Sequence, residues 1–294
     1  MIFASKTSID KGWSGDRKYK AVTSDGEIYL YRVSPIEQYE RKKQEYEYQQ
    51  RVAALGIPMC LPIEFGQNEE GVYSVQSFID GRDAEDAILG MPDDAVYAYG
   101  LDAGRILKRI HSLNAPEDAP DWEKRFNQKI DRKLKTYAEC PLKYEKDDRL
   151  IDFIEANRHL LQNRPQVYQH GDYHIGNMMI GNDGKLYVID FNRYDVGDPW
   201  EEFNRIVWCA QASPLFASGM VDGYFDGEPP MKFWSLLALY IASNTLSSLP
   251  WAIPFGEDEI NTMTKQAREV LDWYGDMKSA LPKWYRKECR DEIS

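Results

Sequence analysis

Four side chains able to do chemistry lie close together in "QHGDYHIGNMMI", which runs from Gln169 to Ile180. They are His170, Asp172, His174 and Asn177. A carboxylate can act as a general base, amide and carboxylate oxygens can bind a hard cation, and histidine with aspartate can bind zinc. Three interpretations are therefore open: a metal nest, a catalytic loop of the kinase type, and a polar turn without chemistry.

The spacing favours the catalytic loop. His170, Asp172 and Asn177 fall at the offsets of the protein kinase pattern H-R-D-L-x-x-x-N. Further along, "IDFN" ends an apolar segment and places Asp190 where that pattern has the aspartate of D-F-G. Such spacing lets one carboxylate face an acceptor hydroxyl while an amide and a second carboxylate converge on Mg²⁺. The two motifs together are hard to explain as a polar turn.

Both segments resemble motifs of the aminoglycoside phosphotransferase and choline kinase-like family. "HGDYHIGN" is similar to its H-G-D-x-H-x-x-N loop, and "VIDFNRYDVGDPWEEF" is similar to its region ending in G-D-P. "KGWSGDRKY" resembles its phosphate-covering hairpin. The resemblance covers nearly the whole chain and implies a bilobal, protein-kinase-like α+β fold. We expect an antiparallel-sheet N-lobe with one helix over residues 1–78 and a larger, mainly helical C-lobe over residues 79–294.

The resemblance also implies roles for the motif residues. Asp172 is expected to be the catalytic base, and Asn177 and Asp190 are expected to bind Mg²⁺. His170 is expected to brace the loop, and His174 either orders it or approaches the transferred phosphate. The donor is expected to be ATP, with GTP as an alternative. The acceptor is expected to be a hydroxyl of a small cationic molecule such as an aminoglycoside, with a macrolide or a metabolic alcohol still open.

The N-terminal part departs from the family pattern. The strand that presents a lysine to the nucleotide phosphates reads "YLYRVS" and has Arg32 there; a guanidinium can also bind phosphate oxygens. Its expected partner is Glu45, for which an ordinary pair with Arg41 in the same helix is the alternative. The glycine loop is short, and Ser14 and the amides around Gly15 are expected to cover a phosphate.

Some positions can be read as functional or as structural. By resemblance, the backbone of Ser77 and Ile79 meets the adenine edge with Gln76 behind it; the alternative is a plain linker. "DPWE" at Asp198 has the form of a helix N-cap, so we assign Asp198 to structure. Acids nearby, such as Glu202, either line an acceptor pocket or are solvated.

Turn and capping signals give the expected elements. Asp25-Gly26 and Asn182-Asp183-Gly184 predict two hairpins. Ser34 is expected to cap a helix that stops at Gly56. Strands are expected near 61–66 and 72–77, one more before Gly12, and a helix over 96–113. Beyond Pro199 we expect helices with breaks at Pro214, Pro229-Pro230 and Pro250.

Composition limits the remaining classes. Of the 294 residues, 43% are hydrophobic and 29% are charged, which is typical of a soluble globular protein. The net charge of -12 argues against nucleic acid and anionic membrane as partners. The longest apolar run, "FWSLLALYIAS", is too short to span a bilayer. Four scattered cysteines and no apparent signal peptide favour a cytoplasmic location. A pseudokinase and a metal-dependent hydrolase remain alternatives, and the oligomeric state stays open.

Overall fold

The computed structural model describes residues 1–10 and 15–286. Its strands are β1 (Ser5–Ser8), β2 (Arg17–Val22), β3 (Ile28–Ser34), β4 (Pro62–Asn68), β5 (Gly71–Ser77), β6 (Gly81–Asp83), β7 (Val167–Gln169), β8 (Met178–Gly181), β9 (Leu186–Val188) and β10 (Asp195–Gly197). Its α-helices are α1 (Tyr39–Ala54), α2 (Ala84–Ala87), α3 (Asp93–Ile110), α4 (Trp122–Glu139), α5 (Asp147–Asn157), α6 (Ile206–Ala212), α7 (Pro214–Phe225), α8 (Met231–Ala252) and α9 (Glu257–Trp273).

The chain forms two compact units. The first comprises Met1–Leu89 and Gly176–Tyr194, and the second comprises Gly90–Ile175 and the chain from Asp195 onward. The first is rich in strands and contains α1, whereas the second is mainly helical, which confirms the predicted α+β fold class. Packing divides the chain differently from the expected boundary after residue 78. The hairpin of β8 and β9 joins the first unit because β8 pairs with β6.

The main sheet of the first unit has the strand order β1-β2-β3-β5-β4 and is antiparallel throughout. The predicted turn at Asp25-Gly26 joins β2 to β3, and the strand expected before Gly12 is β1. Because side chains alternate across a strand, Ala21, Tyr31 and Val75 face a buried apolar cluster. Arg32 and its neighbours two residues away face the opposite side.

The start of α1 differs from its prediction. The Ser34 hydroxyl does not cap the helix but donates a hydrogen bond to Asp16 Oδ1 at 2.7 Å. Pro35 instead precedes a 3₁₀ turn over Ile36–Gln38, which leads into α1. A serine hydroxyl can hydrogen-bond to several kinds of nearby group, and here its acceptor is the carboxylate of Asp16, from another segment of the chain. The helix ends as predicted, with Gly56 in the left-handed region at φ 67°.

The helices of the second unit pack closely. The helix predicted over 96–113 is α3, which crosses α7 where glycines lie on both helices. A Cβ at Gly104 would stand 2.1 Å from the carbonyl oxygen of Met220, so only glycine permits this approach. The long helix α8 packs against α4, α5 and α9. Of the predicted breaks, Pro214 is the first residue of α7 and Pro229-Pro230 precede α8.

Two expectations about α8 were wrong. Pro250 lies inside the helix, which continues to Ala252, so the helix does not break at this residue although proline has no backbone N–H to donate. The helix and the 3₁₀ turn that follows form one apolar segment, Met231–Phe255, with the length and composition needed to cross a membrane. The eleven-residue run noted in the sequence is only part of it. Most of this segment is buried inside the protein, as in a core helix.

Candidate active site

Asp172 lies in the second unit, in the loop that follows β7. Its carboxylate Oδ1 is 3.3 Å from Nε of Arg205 and 3.8 Å from Nε2 of His174. The Asp172 side chain is 17% exposed, so it is held in place yet reachable from solvent. Arg205 was not identified from the sequence because it lies far from the motif and no local pattern marks it. An oriented, accessible carboxylate can accept a proton from a substrate hydroxyl.

Glu202 anchors the backbone of this loop. Its carboxylate accepts the N–H of His170 at 2.6 Å and the N–H of Gly171 at 2.7 Å. Glu202 is 2% exposed and also lies 3.5 Å from Nε2 of His111. It therefore neither lines an acceptor pocket nor is solvated, and both alternatives from the sequence were wrong. Gly171 has a φ of 87°, which favours glycine at this turn.

The two loop histidines lie in different surroundings. His170 is fully buried, its Nδ1 accepts the N–H of Asp172 at 3.3 Å, and its ring meets Tyr173 edge-on. A buried imidazole in these contacts suits a bracing role. His174 is 22% exposed, beside Asp172 and 6.5 Å from the ring of Trp208. This position suits ordering of the loop, and its approach to a phosphate stays a prediction.

Asp198 is a buried hub in the second unit. Its carboxylate accepts two hydrogen bonds from Arg164, at 2.6 and 2.9 Å, and one from the Tyr240 hydroxyl at 2.6 Å. It also accepts the N–H of Trp200 at 2.9 Å, as a capping residue would. The turn that follows is a 3₁₀ segment over Glu201–Arg205 and not the expected α-helix. These contacts support the structural assignment of Asp198.

A group of cations lies near Arg205. Burial lowers the pKa of Lys133 to about 7, and the positive charge of Lys129 adds to the effect while Glu201 opposes it. Lys129 donates to the Glu201 carboxylate at 3.1 Å. Lysine with so low a pKa is partly neutral near physiological pH. Nothing in the sequence marked Lys133, since its charge state depends on tertiary burial.

Asn177 and Asp190 lie in the first unit, at the ends of the segment that forms β8 and β9. The carbonyl oxygen of Asn177 accepts the N–H of Ile189 at 3.0 Å, which brings the two predicted metal ligands close together in the backbone. Asp190 adopts the left-handed region at φ 67° and is 27% exposed. Amide and carboxylate oxygens suit Mg²⁺, which in nucleotide enzymes takes few protein ligands. The residues therefore fit a magnesium site.

Arg32 belongs to a buried network of charges in the first unit. It is 7% exposed, and its guanidinium lies 3.0 Å from Asp16 Oδ2 and 3.3 Å from Asp190 Oδ1. Burial opposes its charge, but the carboxylates of Asp190 and Asp16 outweigh burial and raise the pKa of Arg32. Burial alone would raise the pKa of Asp16, yet Arg32 and Lys42 hold it below its ordinary value.

The expected partner of Arg32 was wrong. Within the described residues the Glu45 carboxylate pairs with Nζ of Lys42 at 3.1 Å, and not with Arg32 or Arg41. Lys42 also reaches Asp16 at 2.8 Å, so Asp16 occupies the place expected for Glu45. Asp16 could not be identified as this partner from the sequence, because it follows Gly15 in a loop where no helical or strand spacing applies.

The remaining nucleotide positions stay predictions. Ser14 lies outside the described residues, and Gly15 is exposed with nothing within 4 Å of the place of a Cβ. The N–H of Ser77 already donates to Leu61 O at 2.9 Å, so an adenine contact there cannot use that N–H. Ile79 is 8% exposed, and Gln76 is buried against Gln49.

The alternative of a zinc site gains no support. Across residues 1–10 and 15–286, no group of three or more histidine, cysteine, aspartate or glutamate side chains is placed to hold a metal ion. Cys60, Cys140 and Cys209 are buried free thiols. Cys289 lies outside the described residues.

Comparison with known families gives one match that spans most of the chain. Residues 7–234 match the sequence model described as the phosphotransferase enzyme family. No curated protein matches the chain.

Three solved structures share the fold at low sequence identity. The GDP complex of aminoglycoside 2'-phosphotransferase-IIIa is 15% identical, with a TM-score of 0.65 over 92% of this chain and 93% of that one. A choline/ethanolamine kinase family protein from Mesorhizobium loti is 14% identical, with a TM-score of 0.65 over 92% and 89%. The amicoumacin kinase hAmiN, in complex with AMP-PNP and Ca²⁺, is 14% identical, with a TM-score of 0.65 over 98% and 92%.

Proposed function

Because this chain belongs to the phosphotransferase enzyme family, we propose that it transfers the γ-phosphate of ATP to a hydroxyl group of a small molecule. The enzyme class expected from the two motifs, a small-molecule phosphotransferase, is confirmed by the family. The observation that carries the proposal is the oriented, accessible carboxylate of Asp172, together with the amide–carboxylate pair of Asn177 and Asp190.

Asp172 serves as the base in this proposal. Its carboxylate accepts the proton of the acceptor hydroxyl as the oxygen attacks phosphorus. Arg205 and His174 hold that carboxylate from two sides, and Glu202 fixes the backbone below it. The protein contributes mainly positioning, since phosphoryl transfer requires little covalent chemistry from the enzyme.

Asn177 and Asp190 would hold the metal in this proposal. Mg²⁺ neutralises charge on the phosphate oxygens when it is bound. Arg32 orients the Asp190 carboxylate through its contact at 3.3 Å, and the buried Phe191 fixes the adjoining backbone through its edge-on contact with Tyr48. One of the similar structures contains GDP and another AMP-PNP, so both ATP and GTP should be tested as donors.

The acceptor is proposed to be a small cationic molecule, with an aminoglycoside first in the panel. The net charge of -12 supports a cationic ligand. Arg205 beside Asp172 implies that the amines of such an acceptor bind away from the base. A macrolide or a small amino alcohol would use the same machinery, and a pseudokinase would bind nucleotide without turnover.

Mass spectrometry of acceptors incubated with MgATP and enzyme tests the proposal. The panel holds aminoglycosides, macrolides and amino alcohols, and it compares wild type with Asp172→Asn. We expect one compound to gain a phosphoryl group, at a rate about 10²–10⁴-fold lower with the variant. Asp195→Asn is the matched control, because Asp195 is half exposed and pairs with Arg125.

Three results would change the conclusion. Undiminished turnover by Asp172→Asn would remove Asp172 as the base. Nucleotide binding without phosphorylation of any compound, including those in metabolite extracts, would indicate the pseudokinase. Product formed by hydrolysis without any nucleotide would indicate the metal-dependent hydrolase.

A further inference from the structure

Arg32 occupies the position of the phosphate-binding lysine in the family pattern, but its guanidinium already forms ion pairs with two carboxylates. The guanidinium is 7% exposed and is paired with both Asp16 and Asp190. The cavity beside this network measures about 10 Å³, which is roughly the least space that one water molecule needs. To reach a phosphate, Arg32 would have to leave the buried carboxylate of Asp16 and the partly exposed carboxylate of Asp190, and uncompensated buried charges are costly.

Lys18 lies directly opposite Arg32 on the neighbouring strand. The register of β2 and β3 pairs Lys18 with Arg32 and Lys20 with Leu30. Directly paired side chains point to the same face of a sheet, so Lys18 projects from the face that carries Arg32 and not from the apolar face of Tyr19 and Ala21. β2 also begins directly after the predicted phosphate-covering loop.

The charged groups that act on Lys18 include Asp190, which is a predicted metal ligand. Burial lowers the pKa of Lys18, and Arg32 adds to this, while the carboxylates of Asp190 and Asp16 oppose it. Lys18 is thus partly buried within electrostatic reach of the predicted metal ligand Asp190. A lysine ammonium is a compact point charge on a flexible stem and binds phosphate in nucleotide sites.

We propose that Lys18 on β2 supplies the cation that binds the nucleotide phosphates, and that Arg32 is a positioning residue for Asp190 and Asp16. The phosphate cation has thereby moved one strand across the sheet relative to the family pattern. This inference rests on the proposed function, because it assumes a nucleotide on this face of the sheet. Lys18 binds the phosphate oxygens, and Arg32 keeps the metal ligand oriented.

Calorimetric titration of the full chain with MgAMP-PNP and with adenosine tests the proposal, since the ratio of the two affinities isolates the phosphate contribution. For Lys18→Met we expect this ratio to fall about tenfold or more, as for loss of a hydrogen bond to a charged group, with adenosine affinity unchanged. Lys18→Arg should restore most of the ratio. Lys20→Met is the matched control on the same strand and face, and its ratio should equal that of wild type.

The outcomes separate this inference from the proposed function. Wild type that binds neither ligand contradicts the proposed function and this inference together. Wild type that binds MgAMP-PNP, with an unchanged ratio for Lys18→Met, overturns the inference alone and returns the phosphate role to Arg32.

A second measurement uses the unmodified chain and does not depend on how a variant folds. Lysines are acylated with and without MgAMP-PNP, and the modified sites are read by mass spectrometry. We expect the nucleotide to protect Lys18 several-fold, while the exposed Lys43 on α1 reacts equally in both samples. Equal acylation of Lys18 with and without nucleotide would contradict the proposal.

Discussion

Because Asp198 is assigned a structural role, its replacement should lower the stability of the protein, whereas loss of a catalytic group would lower turnover. Asp198 is fully buried, and Arg164 is 7% exposed. Oδ2 of Asp198 accepts from Arg164 Nε and from the Tyr240 hydroxyl, and Oδ1 accepts from the second Arg164 nitrogen and from Trp200 N–H. In Asp198→Asn the amide nitrogen replaces one of these oxygens. In either orientation it then faces two donors.

The expected loss follows from this geometry. Removing one charge of a buried pair costs about 3–5 kcal/mol, because the other charge is left uncompensated. For a unit of this size, about 2–4 °C of melting temperature corresponds to each kcal/mol, so we expect the melting temperature of Asp198→Asn to fall by about 6–20 °C. Thermal and urea unfolding followed by circular dichroism would measure it. Asp118→Asn, at an exposed position, is the control.

A double-mutant cycle tests the cause. Arg164→Met in the Asp198→Asn background removes the uncompensated guanidinium, so the double variant should lose less stability than the sum of the single variants, by about 1–3 kcal/mol. Two results would refute the reasoning: a loss below about 1 kcal/mol in Asp198→Asn, or additive losses in the cycle. Reduced turnover with unchanged stability would instead place Asp198 in the catalytic machinery.

Two further predictions concern the surroundings of Asp172. Glu202→Gln should lower turnover about 100-fold by displacing the loop, with Glu145→Gln, at an exposed site, as control; an unchanged rate would mean that Glu202 does not position the loop. Lys133→Met should raise stability most at or below pH 7. Lys133 has a folded pKa of about 7 against an ordinary 10.5, so between these values the unfolded chain binds more protons and wild-type stability rises with pH. The advantage of the variant, measured by urea unfolding, should shrink from pH 7 to pH 10, and a constant advantage would contradict the low pKa.

Local signals in the sequence predicted local structure well. The turns at Asp25-Gly26 and Asn182-Asp183-Gly184 gave both hairpins, because the residues that define a tight turn are adjacent in the chain. The spacing of the C-terminal motifs predicts Asp172, Asn177 and Asp190 as site residues, and their roles stay predictions. The resemblance of these motifs to a known family predicted the fold class correctly.

Long-range pairing could not be predicted. Ser34 has the local properties of a helix cap, yet its hydroxyl donates a hydrogen bond to Asp16, which lies in another segment. The same carboxylate displaced Glu45 as the partner of Arg32. The ion pair of Arg164 with Asp198 forms only in the tertiary structure. No local sequence pattern at either residue indicates its partner. Buried ion pairs depend on which charges the fold leaves without water, and this is decided after the elements are formed.

The contacts of Glu202 have a consequence for how this loop tolerates variation. Its carboxylate is bonded to the N–H groups of residues 170 and 171, and every residue except proline offers such a group. An anchor of this kind does not distinguish one side chain from another. Apart from the buried His170 and the left-handed Gly171, side chains along the loop can therefore be exchanged, by drift or by engineering for a new acceptor, while the backbone that presents Asp172 keeps its path.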